Sequence, residues 1–175
     1  EYGTLEDFKS FVKAAHKLNL KVMMDLVYMH AGPTFGKKFP QFVKHDADGK
    51  PLLNCFNFFT IDFDVPELRE HFLENMLYFV TECGIDGYRC DCGGAGPLDF
   101  WVEGVRRIKK IRPDFLMIDE HEIMSRPEDQ LEAFDINYSQ GWVMYSMHDI
   151  FVYGMPAHVL EMAWNDEHAA AENGM

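Results

Sequence analysis

Helical and strand-like segments follow one another in alternation along this chain, and that order leaves few folds open. Behind Thr4, the residues Leu5, Phe8, Phe11, Val12, Ala15 and Leu18 recur at helical spacing, and Asp7 stands where it completes a capping box. Leu20 to Val27 reads as a buried strand. A second helix starts after Asp64, with Pro66 near its first turn and Val65, Leu68, Phe72, Met76, Phe79 and Val80 as its apolar stripe; Gly84 ends it. Ile85 to Asp91 is the next strand, Gly93 to Pro97 a glycine-rich turn, and a helix carrying Trp101, Val102, Val105 and Ile108 runs to Arg112-Pro113. Phe115 to Glu120 is a further strand, Ala133 to Asn137 a weaker one, and helical patterns follow from Trp142 to Ile150 and from Pro156 to Ala171. A helix between successive strands lets them run the same way, so the expected class is α/β with a parallel sheet.

One connection departs from this rhythm. Residues 31–63, rich in Gly, Pro, Phe and Asn, exceed an ordinary strand-to-helix loop and read as an inserted loop or small domain. Asp25, Asp91 and Glu120 all fall at or near the carboxyl ends of successive strands, where a closed barrel gathers side chains at one mouth. A doubly wound open sheet is the competing architecture, but no Gly-x-Gly-x-x-Gly joins a strand to a helix here. The expectation is therefore a partial (β/α)8 TIM barrel. A whole barrel takes about 250 residues, so this chain of 175 is expected to be an internal piece of a longer protein, roughly half of the barrel.

The formal net charge of -13 disfavours nucleic acid and anionic membrane surfaces, which would repel the chain, and points to a neutral substrate. Cys55, Cys83, Cys90 and Cys92 have neither a zinc spacing nor a redox Cys-x-x-Cys, and read as buried free thiols, with a Cys90–Cys92 bridge near the geometric limit as the alternative. Strand alternation would turn Cys90 and Cys92 to one side and Asp91 to the other.

The chemistry lies at the strand ends. In Gly87-Tyr88-Arg89-Cys90-Asp91, alternation sets Arg89 beside Asp91 on one face, and the cation favours an ionised acid fit to attack. Glu120 ends Phe115-Leu116-Met117-Ile118-Asp119-Glu120 with no arginine two residues before it, which leaves it free to hold a proton for a leaving group. Two acids with divided labour point to glycoside hydrolysis.

With Asp25-Leu26-Val27-Tyr28-Met29-His30 added, these segments resemble three of the four signatures of the α-amylase family of glycoside hydrolases. The flanks Tyr2-Gly3-Thr4-Leu5-Glu6-Asp7-Phe8 and Ala133-Phe134-Asp135 match its style as well. The resemblance implies a (β/α)8 barrel acting on α-linked glucans such as starch and maltooligosaccharides by a retaining double displacement. Asp91 would be the nucleophile and Glu120 the general acid, then base, with carboxyl groups about 5 to 5.5 Å apart. By the same resemblance Arg89 orients Asp91, His30 binds the sugar at the cleavage point, Asp25 braces the mouth, and residues 31–63 form the small domain after the third strand.

The chain also departs from the family pattern. Met29 replaces the usual Asn before His, and a thioether is a poor ligand for a hard cation, so calcium is not expected there. Gly93, Gly94 and Ala95 stand where many members carry Lys-His to grip the departing sugar, and Asp119 replaces a small residue before the catalytic Glu. Alternation turns Asp119 away from the face Glu120 uses. The fourth signature ends in His-Asp; His148-Asp149 matches it in letters but sits inside a helical pattern, so the third acid is expected outside this chain and the 175 residues alone are expected to be inactive.

Phe56, Phe58, Phe59, Tyr138 and Trp142 read as core aromatics, and Arg106, Arg107, Lys109, Lys110 and Arg112 as the solvated face of one helix. Three alternatives stand beside hydrolysis: glucan transfer by the same chemistry, a non-catalytic glucan-binding relative, and a metal-dependent barrel hydrolase using Asp25, His30, Asp91 and Glu120 as ligands. Arg89 opposes the last by repelling a divalent ion.

Overall fold

The computed structural model describes residues 3–120, 130–138 and 144–172, with side chains of the final helix described to residue 165. Helix α1 (Leu5–Lys17) opens on the expected capping box: the Asp7 amide donates to Thr4 Oγ1 at 3.2 Å and the Thr4 amide to Asp7 Oδ2 at 2.8 Å. Strand β1 (Met23–Leu26) follows. The inserted segment holds β2 (His30–Ala31), the short helix α2 (Pro33–Lys38) and β3 (Phe59–Thr60). Helix α3 (Pro66–Tyr78) passes through a π turn at Phe79–Cys83 and stops at Gly84, whose φ of 71° is the left-handed value that glycine adopts without strain. Then come β4 (Gly87–Cys90), a 3-10 turn at Gly93–Ala95, α4 (Leu98–Ile111), β5 (Leu116–Asp119), β6 (Ile136–Asn137), α5 (Tyr145–Tyr153) and α6 (His158–Glu172).

The main sheet has the order β1-β4-β5-β6, parallel throughout, while β2 and β3 pair antiparallel in a separate small sheet. Setting the insertion aside, spatial order equals chain order and never reverses, as in a barrel wall and unlike a doubly wound sheet. The strands are shorter than their apolar runs because only residues with a ladder partner count. Among the described residues β1 pairs on one side only, and the run from Leu20 to Val27 contributes four paired residues.

Alternation along β4 sends Tyr88 and Cys90 into the layer between sheet and helices, where they meet Phe72, Met76, Phe100, Trp101, Ile108, Phe115 and Met117 in one core. Gly104 lets α4 approach α3 closely, since a Cβ there would stand 3.0 Å from Met76 and 3.3 Å from Leu73. Tyr28 stacks on Phe72 with centroids 4.1 Å apart and donates its hydroxyl to Asn75 Oδ1 at 2.6 Å, tying the end of the first strand segment to α3. The stripe read on α1 is only partly used: Val12 and Ala15 are buried, but Phe11 and Leu18 are 59% and 72% exposed beside the free edge of β1.

At the amino end of β4, Asp86 gathers four donors: the Val22 amide at 2.8 Å, His16 Nε2 at 2.7 Å, Lys21 Nζ at 3.3 Å and Arg112 Nη2 at 3.2 Å. Burial opposes its charge, yet these donors outweigh it and hold the carboxyl at about 2. Arg106, Arg107 and Lys109 of α4 likewise pair within the chain. Arg107 bridges Glu103 and Glu70, and Lys109 meets Asp135, whose other oxygen accepts the Met117 amide at 2.9 Å. Among the described residues no helix is long and apolar enough to cross a membrane.

Candidate active site

Two backbone bonds extend the ladder one step past the strands and set the acids in place. The Asp91 amide donates to Leu26 O at 3.0 Å, and the Glu120 amide to Cys90 O at 3.0 Å. Register aligns Asp25 with Arg89 and Arg89 with Ile118, so the guanidinium stands centrally between neighbouring strands. Its Nη1 donates to Asp25 Oδ1 at 2.8 Å and to Asp91 Oδ1 at 2.7 Å, and its Nη2 pairs with Glu120 Oε1. The spacing of two residues assigned Arg89 to Asp91 alone; the folded sheet makes it the shared partner of three carboxylates, which a rigid fork of five N–H donors can serve at once.

Burial works against the charge of Arg89, but Tyr138, Asp25 and Asp91 together hold its pKa above the ordinary value. The Tyr138 hydroxyl accepts from Nε at 3.4 Å, and its ring lies 5.8 Å from the guanidinium carbon. Tyr138 therefore belongs to the site and not to the core. His30 comes from the other side, with Nε2 3.6 Å from Asp91 Oδ2, and its ring stacks on Phe58 at 5.3 Å and 18°. All five residues singled out from the sequence, Asp25, His30, Arg89, Asp91 and Glu120, thus join one cluster at the carboxyl end of the sheet.

Cys92 corrects the alternation argument. Its φ of 49° is left-handed, so the chain turns at the end of β4 and Cys92 faces the mouth with Asp91, not the interior with Cys90. One donor atom each from Asp91, Cys92 and Glu120 lies within 4.8 Å of the others. A soft or borderline metal could use such a set, but Arg89 already contacts both carboxylates and opposes a divalent charge. Burial first, then Asp91 and Glu120, push the Cys92 thiol up.

Asp119 is fully buried on the opposite face from Glu120, with neither carboxylate oxygen in a standard hydrogen bond. Burial pushes it up to about 7, against the nearby Gly94 and Gly93 amides, which favour its charge without reaching hydrogen-bond geometry. Gly93 permits this contact, because a Cβ there would stand 2.3 Å from Asp119 Oδ1. Met29 is buried with its sulfur against Gly96, and its side chain offers a hard cation only that sulfur. His148 and Asp149 lie within α5, 3.6 Å from each other, as the helical pattern implied. Phe56 and Phe58 are exposed, contrary to the core expectation; Trp142, His121 and Glu122 lie outside the described residues.

Parallel strands that deliver acids to one mouth define a section of a β/α-barrel enzyme fold. A family model described as the alpha amylase catalytic domain matches residues 1–50. A maltogenic alpha-amylase of Bacillus acidopullulyticus is 30% identical over 141 residues, covering 69% of this chain and 24% of that protein. A cyclomaltodextrinase of a Bacillus species is 26% identical over 142 residues, 69% of this chain and 25% of its own length. The crystal structure of a maltogenic alpha-amylase from Thermotoga neapolitana superposes with a TM-score of 0.82 at 31% identity, over 96% of this chain and 39% of that one. The chain belongs to the α-amylase family. It spans about a quarter of the length of the curated relatives it matches.

Proposed function

We propose that this chain carries the nucleophile and the acid/base of a retaining glycosidase acting on α-linked glucans, starch and maltooligosaccharides among them. The supporting observation is the shared guanidinium: Arg89 holds Asp25, Asp91 and Glu120 around one space, with oxygens of Asp91 and Glu120 within 4.8 Å. One oxygen of each acid within that distance suits attack and protonation on one glycosidic bond, and favours the retaining arrangement, about 5 to 5.5 Å between carboxyl groups, over the inverting one at about 6.5 to 9.5 Å.

In the first step an Asp91 oxygen bonds to the anomeric carbon as the glycosidic C–O bond breaks, and Glu120 gives its proton to the departing oxygen. In the second, water bonds to the same carbon, passes a proton to Glu120 and releases Asp91. Arg89 engages Glu120 through Oε1, so the proton for the departing oxygen would sit on Oε2. His30, close to both Asp91 and the opening, would donate to the bound sugar, while Asp25 fixes the far side of Arg89.

A further part of the proposal is that turnover needs no calcium at Met29 and that the 175 residues alone are inactive, since four parallel strands form only part of a closed mouth. The test is to trap a fluoroglycoside on the longest native polypeptide carrying this chain and sequence the labelled peptide. A glycosyl adduct on Asp91, lost in Asp91→Asn, is the expected result. Turnover with the label on another residue would overturn the assignment, and binding without turnover would favour a glucan-binding relative.

A further inference from the structure

We propose that Asp119 is a positioning residue for this reaction, a buried seat for the Gly93–Gly94 turn that fixes Asp91 against Glu120; this rests on the glycosidase reading above. Asp119 is 0% exposed and stands one residue before Glu120, at the end of β5, with its side chain on the opposite face. Gly93 opens the turn two residues after Asp91. The carboxyl fills the space that a side chain at Gly93 would need, since a Cβ there would stand 2.3 Å from Asp119 Oδ1 and 3.1 Å from its carboxyl carbon.

This contact closes a bracket around the nucleophile. Ahead of Asp91, Cys90 is in register with Asp119, and its carbonyl accepts the Glu120 amide at 3.0 Å. Behind Asp91, Cys92 already takes the left-handed φ of 49°, and Gly93 is held on two sides: its carbonyl accepts from Trp101 Nε1 at 2.8 Å while Asp119 backs the turn. Asp91 and Cys92 thus run between two points fastened to β5, and the strand that leads to Glu120 sets where Asp91 can stand. Such placement matters to the rate, because a misplacement of about 1 Å at a reacting group can cost about a hundredfold.

Stability alone does not account for the residue. A fully buried carboxyl with neither oxygen in a standard hydrogen bond is destabilising, and a leucine of similar shape would fill the same layer without that cost. What the carboxyl adds is an acceptor behind the turn. Burial pushes it up to about 7, against the Gly94 and Gly93 amides, which favour its charge. A carboxyl can accept from an amide with or without its proton, so the seat serves both states.

The test is the rate constant for trapping a fluoroglycoside on Asp91 in the native polypeptide carrying this chain, read together with the fraction of chains labelled at completion. Chains that fail to fold lower the fraction and leave the rate constant of the folded ones unchanged. Asp119→Ala should lower the rate constant by about tenfold or more with labelling still near complete. Asp119→Asn, which keeps the shape and an acceptor oxygen, should recover most of that loss. Gly93→Ala should be similarly slow, because its Cβ and the carboxyl contend for one space; Gly93 has no positive φ, so the backbone itself accepts alanine. The two alanine changes together should be faster than either alone, as the Cβ fills the space the carboxyl leaves. An unchanged rate constant in Asp119→Ala, a loss confined to the labelled fraction, an Asp119→Asn no faster than Asp119→Ala, or a double variant no faster than the single ones would overturn the inference while leaving the glycosidase reading standing. A wild-type protein labelled elsewhere than Asp91, or not at all, would overturn the two together.

Discussion

Replacing Asp86 with Asn tests the least visible support of this sheet. The carboxylate is 7% exposed and joins the end of α1, the start of β1 and the end of α4 through Val22, His16, Lys21 and Arg112. Its pKa falls from 3.8 in the unfolded chain to about 2 in the native one, which at about 1.36 kcal/mol per unit is worth roughly 2 to 3 kcal/mol. Removing one member of a fully buried pair would cost about 3–5 kcal/mol. The lower figure applies here, because Lys21 and Arg112 keep side-chain exposures of 70% and 28% and regain water when the charge goes.

Because the native pKa is depressed, the contribution is complete above 3.8 and disappears as pH falls toward and through about 2. Urea unfolding at neutral pH should show the Asn variant's midpoint lower by about 1 M, for a slope of about 1–3 kcal/mol per molar. The gap between the two proteins should close as the buffer is taken from 3.8 to about 2. Midpoints that coincide at neutral pH, or a gap that persists in acid, would refute the claim that this charge is stabilised by its partners.

Arg89→Lys keeps the cation but loses the fork that serves Asp25, Asp91 and Glu120 together; steady-state kinetics on maltooligosaccharides should show a loss of about a hundredfold or more with unchanged circular dichroism. Asp119, raised to about 7 in the native state, makes the protein less stable as pH rises from 3.8 through that value, so Asp119→Asn should raise the melting temperature more in mildly alkaline buffer than in acid. Alkylation followed by mass spectrometry should label exposed Cys55 first, Cys92 slowly and faster at higher pH, and buried Cys83 and Cys90 only after unfolding.

The order of elements was legible because each helix carries its own period and each strand its own apolar run. The acids were legible because Asp91 and Glu120 close such runs and Asp25 lies near the end of another. Cross-strand relations were not: that Arg89 also reaches Glu120 depends on the register between β4 and β5, which no local pattern encodes. Cys92 was misplaced because a single left-handed residue cancels the period of two on which its side was inferred. Phe56 and Tyr138 were misread since an aromatic side chain looks alike in sequence whether it fills a core, faces a cleft or lies over a guanidinium.

The two outer strands of the main sheet carry a practical consequence. Among the described residues, β1 and β6 each present one side without a ladder partner, and beside β1 the apolar side chains Leu20, Met23 and Val27 are exposed. Unsatisfied backbone donors and acceptors next to greasy side chains template strand addition from any neighbouring copy. Produced by itself in quantity, this polypeptide will therefore self-associate edge to edge, and a solubilising partner or a lysine introduced at Met23 should reduce the light it scatters.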